Sequence, residues 1–433
     1  HGIGVRPGSG ELYVLAEGPG DGKHTVNLSV LSREGKQLRT LIPAPGSLPW
    51  EKTEKLGAFK LPDGGWIPRL FHPTGRCFTP LTGRPHVNSS SHVHPSFQVL
   101  AVNRAGTVYR VNRVWTRYLL GMHAADGSAP GNTTIGPVLP KHVVAPKMAL
   151  SPDEMTLYVV GLRDSTSHYT SKPGHAVWKV PVGPAGKAEP FIGDPAKAGS
   201  GTKLSAPTAV SVDSKGRIYV ADHGNDRVAQ FDPTGNLLSE MRVKEPCGLT
   251  VSPDGSKIYV LRRLPRVKKT RFFELERYDG MKATAPGARL KLNCGMATRL
   301  LMTVDAWGKT PVIWLANTSK YCRFRLLRIE DLGAKFGDGK EIDSNRGVAN
   351  TPSLGVDAET DDLFVRRTWY KWLLFKGGTG KAVKLNTCPD RKGSVMDVGP
   401  DGSRWWLDRN LKGAKMPTVR TGRDNKKLLP LPG

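Results

Sequence analysis

Acid is what this chain has too little of. Its 433 residues carry 64 Lys and Arg against 38 Asp and Glu, a formal net charge of +26. Basic residues outnumber acidic ones on both sides of His223, the last of eleven histidines, so the excess is not a tail. A surface of this sign favours anionic partners: an acidic protein, an anionic glycan, a membrane surface or nucleic acid. Long apolar runs are missing too. None approaches the roughly 18–20 residues that a helix needs to cross a bilayer, which excludes a helical integral membrane protein. Cysteine is scarce. Cys77, Cys247, Cys294, Cys322 and Cys388 form no C-x-x-C pair, no haem-attachment motif and no zinc spacing. They are too few for a disulfide scaffold, and their odd number leaves at least one thiol. No G-x-S-x-G elbow, H-E-x-x-H motif, P-loop or nucleic-acid motif occurs. No window holds a sustained helical period.

What is present is a repeating β word. It reads Leu12-Tyr-Val14, Val99-Leu-Ala-Val102, Leu157-Tyr-Val159, Ile218-Tyr-Val220, Ile258-Tyr-Val260, Ile313-Trp-Leu315, Leu363-Phe-Val365 and Trp405-Trp-Leu407. Before most of these words lies another apolar strand closed by an Asp/Gly turn, as in Leu249-Thr-Val-Ser-Pro-Asp-Gly255. After them comes a third strand, such as Val228–Phe231 or Leu326–Ile329. Asp-Gly supplies the turn that joins antiparallel strands, and period-2 alternation of Val, Ile, Tyr and Trp suits a half-buried pleated surface. A three- or four-stranded unit cannot bury both faces alone, whereas a closed ring of such units can. The expectation is an all-β propeller of seven or eight four-stranded blades. It would form one domain over 1–433, with loop insertions at 42–91 and 115–143.

Two segments carry a family resemblance. Ala206–Gly235, with Ile218-Tyr-Val-Ala-Asp-His-Gly-Asn-Asp-Arg227 at its centre, resembles an NHL repeat, and Pro246–Val260 resembles the related YVTN repeat. The resemblance covers about two blades. It implies a propeller but no activity, since the fold hosts binders, scaffolds, lactonases and lyases. It also implies that Asp222, Asn225 and Arg227 serve the repeat's own turn and packing. Lactonase-type relatives hold calcium centrally on Glu, Asn and Asp side chains; Asn103, Asp222 and Asn317 are the residues that would follow second strands here, but so would Arg262 and Arg366, which disfavour a central cation.

Two constellations could carry function. His86, His92 and His94 lie in Arg84-Pro-His-Val-Asn-Ser-Ser-Ser-His-Val-His-Pro95. On a strand His92 and His94 point to one side, a spacing that suits two imidazoles on Zn or Cu. Surface or turn histidines flanked by prolines are the plainer alternative. The second constellation is basic. The connections after second strands carry Arg262, Arg263, Arg266, Lys268, Lys269 and Arg271, then Arg366, Arg367 and Lys371, while the opposite turns carry acids such as Asp254, Asp305 and Asp401. One face of the propeller should therefore be strongly positive. Trp369, Tyr370, Trp372 and Tyr321 sit among those cations and could stack on a ligand or pack between blades.

The chain starts at His1 rather than Met, which reads as a processed chain or a piece of a longer one. With the sparse cysteines this leans towards a secreted or periplasmic protein. The functional expectation is a non-catalytic binding or scaffold propeller that docks an acidic protein or anionic glycan through its basic face, as a free protein or as a subunit of a larger assembly. The alternative is a metal-dependent propeller enzyme of lyase or lactonase type built on the histidine trio.

Overall fold

The computed structural model describes residues 2–17, 26–42, 100–114, 117–128, 134–139, 142–163, 174–182, 187–268, 270–295, 300–317 and 326–342, together with short strands between 58 and 86 and between 354 and 429. Among the described residues all regular structure is β except a single 3-10 turn, His223–Asn225. The four-stranded sheets follow one plan, with strands hydrogen-bonded in chain order and antiparallel to their neighbours.

The chain divides into two compact units, where one domain was expected. Among the described residues eight four-stranded sheets form, and five of them lie in the larger unit as complete blades, where seven or eight blades were expected. Blade I comprises Leu100–Val102, Val108–Val114, Arg117–His123 and Thr134–Leu139. Blade II comprises His142–Leu150, Thr156–Arg163, Ala176–Pro181 and Glu189–Gly193. Blade III is Pro207–Val212, Ile218–Asp222, Arg227–Phe231 and Leu237–Arg242. Blade IV is Pro246–Val251, Ile258–Arg263, Phe272–Tyr278 and Ala288–Asn293. Blade V is Leu300–Asp305, Val312–Asn317, Leu326–Glu330 and Lys340–Ile342. The first strands of the blades neighbour one another in order. The strand Gly2–Val5 lies between those of blades I and V and closes the ring.

Two further readings are corrected. Residues 117–123, 134–139 and 142–150 are blade strands, so the expected insertion at 115–143 is mostly sheet. The word at Val99–Val102 is not a second strand: Leu100–Val102 is the first strand of blade I, because Asn103 turns the chain there. Its side-chain oxygen accepts the Thr107 N–H at 2.7 Å. Asn103 thus belongs to an inner turn and not to the position expected of a calcium ligand.

Gly2–Val5, Leu12–Glu17, Val26–Leu31 and Gln37–Ile42 form one four-stranded sheet in that order, and two further four-stranded sheets, which begin at Leu354 and Gly393, lie in the smaller unit. The strands Ala58–Lys60 with Trp66–Pro68, and Leu70–Phe71 with Cys77–Phe78 and Pro85–His86, join none of the four-stranded sheets.

The repeated word explains the packing. Its tyrosine is fully buried in blades III and IV, where Tyr219 and Tyr259 fill the space against the next blade. A buried hydroxyl needs a partner, and each finds a carboxylate. Tyr219 donates to Asp213 Oδ2 at 3.0 Å, and Tyr259 to Asp331 Oδ2 on blade V at 2.8 Å. The Ser-Pro-Asp turns repeat as well: Ser151 and Ser252 donate to Asp153 and Asp254, both at 2.5 Å. These bonds hold both carboxyls below the usual range, Asp254 at about 2. Gly255 closes the second turn at φ +74°, and a Cβ there would lie 2.5 Å from Arg217 Nη2 and 2.7 Å from the Tyr219 hydroxyl. Glycine is required on both counts.

The NHL signature residues tie blade III to the crossover before it. Asp222, fully buried, accepts the Ser205 N–H at 2.7 Å, Asn225 Nδ2 at 2.7 Å and Arg227 Nε at 2.8 Å. Arg227 Nη2 donates to the Gly201 and Lys203 carbonyls at 2.7 and 2.8 Å, and Nη1 meets Glu240. Removing the acid leaves the buried Arg227 with Glu240 as its one counter-charge and takes the acceptor from the Ser205 N–H and Asn225 Nδ2. Asp222→Ala is expected to lower unfolding free energy by about 3–5 kcal/mol, read from urea unfolding; a loss within error would show the network to be dispensable.

Burial pushes the Tyr219 hydroxyl up to about 12, with the Asp213 charge adding to it, and Tyr259 and Tyr278 move in the same direction. An acid whose folded pKa is raised ionises first in the unfolded chain, so its contribution is full below the unfolded value near 10. Stability is expected to fall as pH rises from about 10 through 12, measured by thermal unfolding at constant ionic strength. A flat profile over that range would contradict the assignment.

Candidate functional site

The ring of first strands encloses a channel of about 220 Å³ in the larger unit. Its wall is made by the residues of Gly2–Val5 and of the first strands of blades I to V, with Pro7 and Trp307 at the end where each first strand turns back. Each first strand is the inner edge of its sheet, and side chains of the neighbouring first strand bond part of that edge: Ser211 Oγ accepts the Val251 N–H at 3.1 Å and Thr208 Oγ1 donates to the Pro246 carbonyl at 2.9 Å. Among the described residues Lys147 on blade II is the only charged residue of the lining. Nothing marked it beforehand except its isolation in an otherwise uncharged stretch, Val143–Leu150.

The other end of the channel, where first strands begin, is where blade IV brings its basic connection. Arg263 ends the second strand, and its N–H donates to the Glu245 carbonyl at 3.0 Å, beside the start of the first strand. Val267 and Thr270 bridge to each other, so the chain makes a tight loop with Lys268 at φ +55°. Arg266 and Lys268 are exposed on it. Arg271 returns beside the blade edge, its N–H bonded to the Gly295 carbonyl at 2.6 Å and its carbonyl to the Cys294 N–H at 3.1 Å.

These cations are not equivalent. Arg262, expected in the binding set, is neutralised within its own blade: Nη1 lies 3.2 Å from Glu276 and 3.5 Å from Glu274. It belongs to the packing of blade IV. Arg262, Arg263 and Arg271 each keep a buried Nε with no hydrogen-bond partner among the described residues, so the ion pairs of Arg262, and not its Nε, set it apart. Burial, then the charges of Arg263 and Arg266, hold the Arg271 guanidinium below its usual value. The arginines therefore stand close enough to repel one another. Glu245 is the acid beside them; it lies 3.9 Å from His223 Nε2 and sits at φ +55°, a strained conformation for a residue with a side chain.

Cys247 marks the centre of this cluster and was not anticipated as a site residue. Burial pushes its thiol up to about 12, against the Arg263, Lys147 and Arg271 charges, which pull it down. Desolvation outweighs them and disfavours the thiolate; the residue itself is half-buried.

The remaining expected residues are placed as follows. Arg366 and Arg367 lie in the strand Leu363–Thr368, and Lys371 begins Lys371–Phe375, both in the smaller unit. His86 ends the two-residue strand Pro85–His86. Lys269, His92, His94, Tyr321, Trp369 and Tyr370 lie outside the described residues. Among the described residues no three His, Cys, Asp or Glu side chains converge on a metal position. Asp222 is already saturated by protein donors.

The four-stranded blades set about a channel define a β-propeller, and residues 204–231 match the NHL repeat model. Among solved structures the chain is similar to regucalcin, a calcium-binding protein from Agrobacterium tumefaciens, at 19% identity and TM-score 0.30, over 60% of this chain and 80% of that one. It is also similar to a gluconolactonase from Xanthomonas campestris, at 15% identity and TM-score 0.30 over 60% and 82% of the two chains. Virginiamycin B lyase from Staphylococcus aureus matches at 11% identity and TM-score 0.33, over 73% and 91%. No curated protein sequence matches the chain.

At pH 8 a thiol near 12 holds roughly a thousandfold less thiolate than an ordinary cysteine. Cys247 in the folded protein is expected to resist iodoacetamide, followed by peptide mass spectrometry. Alkylation at the rate of a small free thiol would show the burial to be wrong.

Proposed function

We propose that this protein is a binding propeller that docks an acidic protein segment on the channel mouth of its larger unit, through Arg263, Arg266, Lys268 and Arg271. The observation that carries the reading is that Arg263 and Arg271 make no ion pair with a carboxylate among the described residues, while the adjacent Arg262 lies 3.2 Å from Glu276 and 3.5 Å from Glu274. Crowded guanidiniums that outnumber the one acid beside them, Glu245, favour an incoming anion, and desolvation at the mouth strengthens that attraction. The net charge of +26 supplies long-range steering of the same sign. Arg366, Arg367 and Lys371, in strands of the smaller unit, carry charge of the same sign.

Polyglutamate is the probe. The protein is expected to bind it at low salt and release it as ionic strength rises, since exposed charges are screened within about 10 Å at 0.1 M salt. Combined Arg263→Gln, Arg266→Gln and Arg271→Gln substitution is expected to weaken binding about tenfold or more, read by fluorescence anisotropy of labelled polyglutamate. Arg262→Gln, whose charge is spent within the blade, serves as the comparison. Equal affinity of the triple variant and the unaltered protein would sink the docking reading. Stoichiometric zinc or copper in the purified protein, lost in His92→Ala, would replace it with the metal-dependent alternative.

A further inference from the structure

Strand register sorts the cations of blade IV onto two sides. In the pairing of Ile258–Arg263 with Phe272–Tyr278, Arg262 stands opposite Glu274 and Arg263 opposite Phe273. Side chains alternate along a strand. Arg262 therefore shares a side with Ile258, Val260 and Tyr278, which pack with blade III. Arg263 shares the other side with Tyr259, Leu261, Phe273 and Leu275, which pack with blade V. Arg271 precedes Phe273 by two residues, and its N–H and carbonyl stay in the ladder, bonded to Gly295 and Cys294 beyond the fourth strand. Its side chain thus continues the Phe273 side. Arg263 and Arg271 are diagonal neighbours on one side of the hairpin, a placement that sets Cα atoms roughly 7–8 Å apart and brings long side chains within mutual reach.

Both residues are half-buried, whereas Arg266 and Lys268 are exposed on the tip. The nearby acids are engaged elsewhere. Glu274 and Glu276 pair with Arg262 on the opposite side of the sheet, and Glu245 lies 3.9 Å from His223 Nε2 on blade III. A carboxylate brings two oxygens and one charge, which a single guanidinium matches. A phosphate monoester brings three oxygens and a charge of about −1.5 to −2 at pH 7, enough to engage two planar guanidiniums together.

We infer that the anchor of the docked segment is a phosphorylated side chain, with its phosphate held between Arg263 and Arg271; this rests on the docking of an acidic segment at the same mouth. Acids flanking the phosphate meet Arg266 and Lys268 on the exposed tip, where salt screens them more than it screens the half-buried pair. The tip cations attract acidic sequence in general, and the diagonal pair selects the dianion.

The test is fluorescence anisotropy of the full chain with three labelled acidic peptides that differ only in their central residue: phosphoserine, glutamate or serine. The phosphoserine peptide is expected to bind about tenfold or more tightly than the glutamate peptide, because the phosphate makes more charge-assisted hydrogen bonds. Arg263→Lys and Arg271→Lys keep the charge but lose the planar fork, and each is expected to bring the phosphoserine peptide down to the level of the glutamate peptide. Arg262→Lys, on the other side of the hairpin, is expected to keep the preference. Thermal unfolding midpoints of the three variants check that the blade remains intact. Equal affinity for the phosphoserine and glutamate peptides, inorganic phosphate that competes as strongly as the phosphoserine peptide, or a folded Arg263→Lys protein that still prefers phosphoserine would each overturn the inference. With polyglutamate still bound, those results leave the docking surface standing. A protein that binds neither polyglutamate nor any of the peptides loses the docking surface itself.

Discussion

A radial sheet has two faces to bury and no layer of helices to cover them. That constraint governs the described part of this protein. Each blade must present both faces to neighbours, so the cores of the second strands in blades II to V are apolar on both sides, and the largest side chain there must fit between two sheets. Tyrosine meets the demand only because a carboxylate waits for its hydroxyl. Asp213 serves Tyr219 from within its blade, whereas Asp331 serves Tyr259 from the blade beyond. The second arrangement makes the hydrogen bond itself a tie between blades, reinforced by Arg277, whose Nη1 lies 2.9 Å from the same Asp331. Such a network is costly to leave half satisfied, because the groups are far from water.

The same economy of acids shapes the site. Acidic side chains are few, and in blades III and IV many are occupied in holding the fold: Asp213, Asp222 and Glu276 are all buried against cations or hydroxyls. The arginines at the channel mouth are those that the supply of acids does not reach. Charge excess in the whole chain thus becomes local excess at one place, where second-to-third connections and first strands meet. The fold positions that place next to the channel, since all first strands begin on the side where those connections emerge.

Much of this was legible in residue order. The recurring word marked the second strands in four of the five blades, and the Ser-Pro-Asp and Asp-Gly turns marked the hairpins, because turn chemistry and period-2 alternation are local. Val99–Val102 misled because an apolar first strand and an apolar second strand look alike when isolated, and only the Asn103 turn and the pairing of Val102 with Val108 separate them. The segment 115–143 misled for a related reason: Gly and Pro within it suggest loop, whereas Arg117–His123 and Thr134–Leu139 gain their order from neighbouring strands. The basic run at 262–271 was visible, but not that Arg262 differs from Arg263. Successive residues on a strand face opposite sides, and one side here meets Glu274 and Glu276.

Local composition therefore determined the class of structure, the sign of the surface and the residues of the repeat signature, since these depend on spacing along the chain. Ring closure by Gly2–Val5, the number of complete blades, and the meeting of Lys147, Glu245, Cys247, Arg263 and Arg271 were decided only in three dimensions. Those residues are separated by up to 124 positions in sequence, and what brings them together is the burial of sheet faces between blades, a property of the closed ring and of no segment within it.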